Sequence, residues 1–254
     1  MKKITFKILC HPLVGKLIYN ISFGRIFNLR WKGFRFYVPS LYTNPTIQAS
    51  IFWGFYESAE IRLIHKYLRK DLPVIELGGS LGIVSSHIVS RLDKDTSVTV
   101  IEANPNLIST IARNVKRHNI NNTKVKILNK AIGYTERFIY MNITNNNTAS
   151  HITENRNSGV KVRCIRLSDV ILDCCPDAYS LICDIEGSEI EIFENELHAL
   201  VKCRQIFIEL HKANYKGKSY TFEDMVNKLI EADFRLVQKD GNVFYLEKQS
   251  NGSK

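Results

Sequence analysis

The chain has 254 residues, 44% hydrophobic and 24% charged, enough to bury one substantial core and too apolar to remain disordered. Its formal charge of +10 is concentrated at one end: no acid precedes Glu57, while Lys2, Lys3, Lys7, Lys16, Arg25, Arg30, Lys32 and Arg35 fall in the first 35 residues, and the other 27 Lys and Arg nearly balance 25 Asp and Glu. No run approaches the roughly 20 apolar residues of a membrane span, and no RNA-binding or helix-turn-helix pattern accompanies the basic residues, so nucleic acid is a disfavoured partner.

The N-terminus, MKKITFKILCHPLVGKLIYN, starts like a signal peptide, but Lys7 and Lys16 interrupt its apolar stretch and no small-residue cleavage site follows. A cytoplasmic chain is expected, with reduced, structural cysteines, because Cys10, Cys164, Cys174, Cys175, Cys183 and Cys203 form no CxxC pair. After Pro12 a short amphipathic helix is expected, with Leu13, Leu17 and Ile21 on one stripe beside Val14 and Ile18, and Lys16 and Asn20 opposite. Either the helix lies on an anionic membrane surface, giving a peripheral contact through residues 1–35, or it packs on the main domain with its lysines in water. Residues 1–54 thus read as a basic extension and 55–250 as the main domain.

From residue 57 helix and strand patterns alternate. ESAEIRLIHKYL is helical, PVIEL a buried strand, HIVSRL helical, SVTVIEA a strand, NLISTIARNVKRHN a helix and KVKILNKAI a strand. YSLICDI is a strand, SEIEIFENELHALVK one helix, RQIFIEL a strand and FEDMVNKLIEA a helix, and FRLVQKD and NVFYLEK form a hairpin across Asp240 and Gly241. The expectation is an α/β fold with a doubly wound, mainly parallel seven-stranded sheet and an antiparallel C-terminal hairpin. Residues Asn142 to Gly159 read as one long irregular insertion.

Ligands of such sheets bind at the carboxyl ends of the strands. VIELGGSLGIVSS lies there: Gly78 and Gly82 frame a turn in which missing side chains let backbone amides approach a ligand, ahead of a helix N-terminus. About twenty residues later Glu102 ends the next strand, where a carboxylate can accept both ribose hydroxyls of a nucleoside. Ser80 stands where a dinucleotide motif needs its second glycine. The spacing ExGxxxG fits S-adenosylmethionine instead, with Glu76 near the cationic aminoacyl end.

The segments VIELGGSLGIVSS, VIEANPNLI, NKAIG, LICDIEGSEIEIFE and IFIELH resemble, in order and spacing, the FkbM-type methyltransferases, a branch of the Rossmann-like class I S-adenosylmethionine-dependent fold. The resemblance spans about residues 55 to 247; Glu76 replaces the family's usual Asp and Ser80 its Asn. It implies methyl transfer to oxygen, most often to a hydroxyl of a sugar or a polyketide-derived product. Glu57, in FYESAE, matches a Tyr-Glu feature of the family and either closes over the cofactor or serves as a first-turn acid of the helix.

Beside the resemblance, Asn104 or its neighbouring backbone supports Glu102, and Ala131 and Ile132 pack against adenine. Asp184, Glu186, Glu209 and His211 sit at two adjacent strand ends and form a constellation around the acceptor, with Glu189 read as a helix N-terminal acid. Oxygen methylation needs orientation and a base, for which Asp184 or His211 qualifies. The same groups offer Mg²⁺ a site through Asp184, Glu209 and His211, and His151 is a further acid or base if its loop folds over the acceptor. The leading expectation is an O-methyltransferase acting on a sugar hydroxyl in a glycan or glycolipid precursor of polysaccharide biosynthesis. A nucleic-acid methyltransferase and a non-catalytic cofactor-binding protein are the alternatives.

Overall fold

The computed structural model describes residues 3–143, 151–152, 159–174 and 177–249. An N-terminal layer holds α1 (Lys3–Leu9), α2 (Pro12–Ser22), the short hairpin of β1 (Arg25–Phe27) and β2 (Arg35–Tyr37), and α3 (Pro45–Trp53). The alternating part follows as α4 (Ser58–Tyr67), β3 (Val74–Leu77), α5 (Ile83–Val89), β4 (Ser97–Glu102), α6 (Ile108–His118) and β5 (Lys124–Asn129). Next come β6 (Ala131–Ile132), β7 (Phe138–Asn142), β8 (His151–Ile152), β9 (Val160–Ile165) and α7 (Leu167–Cys174). The chain closes with β10 (Tyr179–Cys183), α8 (Glu189–Asn195), β11 (Cys203–Glu209), β12 (Ala213–Tyr215), β13 (Lys218–Tyr220), α9 (Phe222–Glu231), β14 (Phe234–Asp240) and β15 (Val243–Lys248).

Seven strands form the main sheet in the order β14-β15-β11-β10-β3-β4-β5. The strands from β11 to β5 run parallel, and β15 and β14 add an antiparallel edge. This is the Rossmann-like α/β arrangement expected from the alternation of patterns. Strand parity divides the core. Ile75 and Leu77 of β3 point into a cluster with Leu167, Ile190, Met225 and Leu229 of the helices on one face, whereas Val74 joins Ile61, Ile83, Ile111 and Val115 on the other. Ile26, Phe36, Val38, Ile47 and Ile51 belong to that second cluster, so the stretch read as an extension is seated in the common core.

Three local expectations need correction. The helix expected over SEIEIFENELHALVK breaks at Glu196 and continues as a 3-10 turn, Leu197–Lys202. Glu196 turns its carboxylate to Ser168, accepting from the hydroxyl at 2.5 Å and the amide at 3.1 Å. The strand expected over KVKILNKAI ends at Asn129, whose amide donates to the carbonyls of Glu102 and Ala103; Ala131 and Ile132 then pair with Cys164 and Ile165. Finally, Asn142 to Gly159 is not irregular throughout, since β7 pairs with both β8 and β9 in a four-stranded sheet beside the main one.

The cysteines Cys10, Cys164, Cys174, Cys183 and Cys203 are free thiols, and no helix among the described residues is long and apolar enough to cross a membrane.

Candidate active site

Beside β3 the sheet order reverses, with β4 on one flank and β10 on the other, and a cavity of ≈ 380 Å³ opens at the carboxyl ends of these strands. The volume suits a small organic ligand. Its wall includes Gly78, Ser80, Glu102, Asn104, Ala131, Ile132, Glu57, Asp184 and Glu186.

The glycine turn works differently from the sequence expectation. Its amides are already engaged: those of Gly78 and Gly79 donate to the carbonyl of Ile101, that of Ser80 to Glu102, and that of Gly82 to the carbonyl of Gly79. The glycines are required by packing within the chain. At Gly78, with φ +93°, a Cβ would lie 1.8 Å from the carbonyl oxygen of Asp184, and at Gly82, with φ +72°, one would lie 2.8 Å from the backbone of Ile111. The turn therefore locks β3 to β10 and α5 to α6, and α5, at seven residues, does not supply an anion site.

Glu102 is buried but faces the cavity. One of its oxygens accepts from the amide of Ser80 and the other from that of Asn104, each at 2.7 Å, leaving lone pairs on both for a ribose diol. Burial raises its pKa while these backbone donors hold it down. Asn104 acts through its backbone; its side chain caps the turn that follows by accepting from Asn106. Ala131 and Ile132 form an apolar wall together with Ile139 and Met141 of β7, two residues that sequence patterning did not single out.

Glu76 is not on the cavity wall. It shares strand parity with Val74, is 1% exposed, and has the hydroxyl and amide of Ser85 as its polar neighbours, which only partly offset its burial. Burial pushes its pKa up to about 8, so it is largely protonated at neutral pH, near Glu102 and the similarly buried Glu60. The turn itself does contact the wall: the Ser80 hydroxyl lies 3.0 Å from the phenol oxygen of Tyr56.

Glu57 precedes α4 in a left-handed conformation, φ 48°, and makes no capping bond, so it is not a first-turn helix acid. Burial, then the charge of Glu209, raises its pKa to about 7. Ser80 at φ 47° and Glu186 at φ 53° are also left-handed. Three non-glycine residues in this costly region border one cavity, the distribution expected of a functional site.

The acceptor-side constellation is assembled as expected, around His211. Its Nε2 lies 3.5 Å from Glu186, 3.9 Å from Glu209 and 4.0 Å from Asp184. Its Nδ1 lies 3.1 Å from the fully buried Glu189, whose same oxygen accepts from the amides of Ile185 and Gly187. Glu189 is thus the first residue of α8 and also the clasp of the 185–187 loop. The Glu189 hydrogen bond raises the His211 pKa to about 9. The contact favours the imidazolium form, which disfavours His211 as the base relative to Asp184. Desolvation and then the charge of Glu57 raise the Asp184 pKa well above the usual carboxylate range, which makes it the stronger proton acceptor when ionised.

Two sets, Asp184 with Glu186 and His211, and Glu57 with Asp184 and Glu209, have potential ligand atoms within 4.8 Å of one another. His151 pairs through its backbone with Asn142 in β8; the rest of its loop, 144–150 and 153–158, lies outside the described residues.

A family model described as the methyltransferase FkbM domain matches residues 83–236, from α5 into β14. The chain belongs to this FkbM methyltransferase family. No curated protein sequence matches it significantly. Among solved structures, the FkbM-domain protein is similar to magnesium protoporphyrin IX methyltransferase from Synechocystis PCC 6803 with bound SAM, at 10% identity and TM-score 0.48, covering 80% of this chain and 84% of that one. It is also similar to a ribosomal protein L11 methylase from Lactobacillus delbrueckii subsp. bulgaricus, at 13% identity and TM-score 0.42, covering 75% and 78%. A third is 23S rRNA methyltransferase ErmE, at 13% identity and TM-score 0.41, covering 75% and 67%.

Proposed function

We propose that this FkbM-domain protein transfers a methyl group from S-adenosylmethionine to a hydroxyl, with a sugar of a glycan or glycolipid precursor as acceptor. One observation carries the reading: Glu102, fixed by two backbone donors, and the acid cluster at Asp184 share one cavity. A nucleoside-binding end thus adjoins a proton-accepting end.

The residues fit that cofactor. Both Glu102 oxygens keep acceptor capacity for the ribose hydroxyls, and Ala131, Ile132, Ile139 and Met141 give adenine an apolar wall. Glu57 and Asp184 line the sulfonium end, where a cofactor cation would draw both towards their ionised forms. When bound, S-adenosylmethionine supplies a methyl carbon already activated for displacement. Asp184 accepts the proton of the acceptor hydroxyl as it becomes nucleophilic, and the His211 cation, held by Glu189, keeps Glu186 and Glu209 beside it.

The carboxyl groups of Asp184, Glu186 and Glu209 around His211 favour a neutral, hydroxyl-bearing acceptor over a nucleic acid, whose phosphates they would repel when ionised. A divalent ion such as Mg²⁺ on the clustered carboxylates is a second reading, carried by their spacing. Protonation of His211 competes with its use as a ligand.

The test is methyl transfer from labelled S-adenosylmethionine to a panel of glycans, nucleotide sugars, lipid-linked sugars and RNA, with and without chelator. Asp184→Asn is expected to lower kcat by about 10²–10⁴-fold and leave cofactor affinity within a few-fold. Unchanged turnover in this variant, or labelling of RNA alone, would refute the assignment.

A further inference from the structure

Helix α2 turns its leucines outward. Leu13, Leu17 and Ile21 recur every four residues and are 69%, 61% and 71% exposed, and Phe23, the left-handed residue that ends the helix, is 86% exposed. Sequence patterning left this stripe either to a membrane surface or to packing on the main domain. The packing side of the helix is set by Gly15, where a Cβ would lie 1.8 Å from the carbonyl oxygen of Pro45, so α2 and α3 meet backbone to backbone. Ile18 packs against the core, while Lys16 and Asn20 are exposed beside the leucines rather than opposite a buried stripe.

The charge carried by this N-terminal stretch is of one sign. Lys7, Lys16, Arg25, Arg30 and Lys32 are exposed, no acid precedes Glu57, and the ion pairs among the described residues all involve residues beyond 61. An exposed apolar stripe that carries Lys16 and belongs to a segment with cations only needs a partner that supplies both apolar surface and negative charge. A second copy of the same face would set cations against cations. A nucleic acid would satisfy the cations but leave the leucines in water.

We propose that α2, with Phe23 and the flanking cations, docks the protein on an anionic bilayer, lying in the interface without crossing it. The docking surface is fixed relative to the cavity. Trp53 at the end of α3 donates its indole N–H to the carbonyl of Leu9 at 2.9 Å, Phe6 meets Phe55 with ring centroids 5.8 Å apart, and the next residues, Tyr56 and Glu57, line the cavity. The inference is independent of which acceptor the cavity takes.

The test is co-sedimentation of the full chain with vesicles of phosphatidylcholine, alone or mixed with phosphatidylglycerol, across a salt series. Binding to the anionic vesicles only is expected, weakening as salt rises. Leu17→Glu with Ile21→Glu should lower partitioning by at least about tenfold. The melting temperature should hold, since both side chains are exposed; Leu17→Gln with Ile21→Gln provides a milder pair if it does not. Wild-type and variant binding equally, equal binding to neutral vesicles, or absence of vesicle binding would overturn the proposal. So would concentration-dependent self-association abolished by the same pair, which would assign the face to a second copy.

Discussion

Nδ1 of His211 and a carboxylate oxygen of the fully buried Glu189 lie 3.1 Å apart, and that contact favours a positive charge on the imidazole beside Asp184 and Glu186. The folded-state pKa of His211 is raised from 6.5 to about 9. The stabilisation from its protonation is therefore fully present below pH 6.5 and lost as pH rises through about 9. Glu189→Gln should return the histidine towards its ordinary titration, as followed by NMR of the ring protons, and flatten stability over that interval. A histidine still titrating near 9 in the variant would assign the shift to Asp184, Glu186 and Glu209 instead.

Glu102→Gln keeps one acceptor oxygen but removes the charge shared by Ser80, Asn104 and the proposed ribose contact. Hydrogen bonds to charged groups contribute about 1.5–3 kcal/mol, so S-adenosylmethionine affinity should fall by roughly 10- to 150-fold. Calorimetry would read this, with the melting curve confirming that the turn still forms. Affinity unchanged within a factor of two would remove Glu102 from the binding site.

Gly78→Ala would force a side chain into a left-handed position and against the Asp184 carbonyl. A loss of at least about 2 kcal/mol is expected, from backbone conformation and overpacking together. Urea unfolding measures it. Because the clash falls on Asp184, transfer activity should decline even under conditions where the variant remains folded.

Trp31 stacks on His65 with centroids 4.3 Å apart, and His65 lies within 3.0 Å of His87, joining the N-terminal layer to α4 and α5. Burial drives the His65 pKa from 6.5 down to about 4 and that of His87 to about 2. Both are neutral in the fold, so below pH 6.5 the unfolded chain takes up protons that the native one refuses, and stability should drop progressively between pH 6.5 and 4. Melting temperatures measured across that range check this, and His65→Phe should reduce the slope.

Much of the fold was legible because β3, β4, β10 and β11 are short apolar runs separated by strongly amphipathic helices, a pattern with few physical solutions. The small sheet of β7, β8 and β9 was not: β7 and β9 are short and only partly buried, and they pair across an asparagine-rich segment with no periodicity. Within the site, Asp184, Glu186, Glu209 and His211 could be read from their places at strand ends. Glu189 could not, since its role depends on the end of β11 folding back beside α8. Alternation along β3 sets Glu76 with Val74, and it is not among the residues that line the cavity. Gly15, mid-helix, likewise marked the close contact that turns the leucines of α2 outward.

The engagement of the turn amides narrows what this scaffold can become. Replacing Ser80 by glycine would supply the second glycine of a dinucleotide motif, with Ile83 still at the third, and would not supply its chemistry, because the N–H that must reach a diphosphate already belongs to Glu102 and the two before it to Ile101. Conversion to a hydride-transfer protein would require rebuilding the junction of two strands, a step beyond single-residue change.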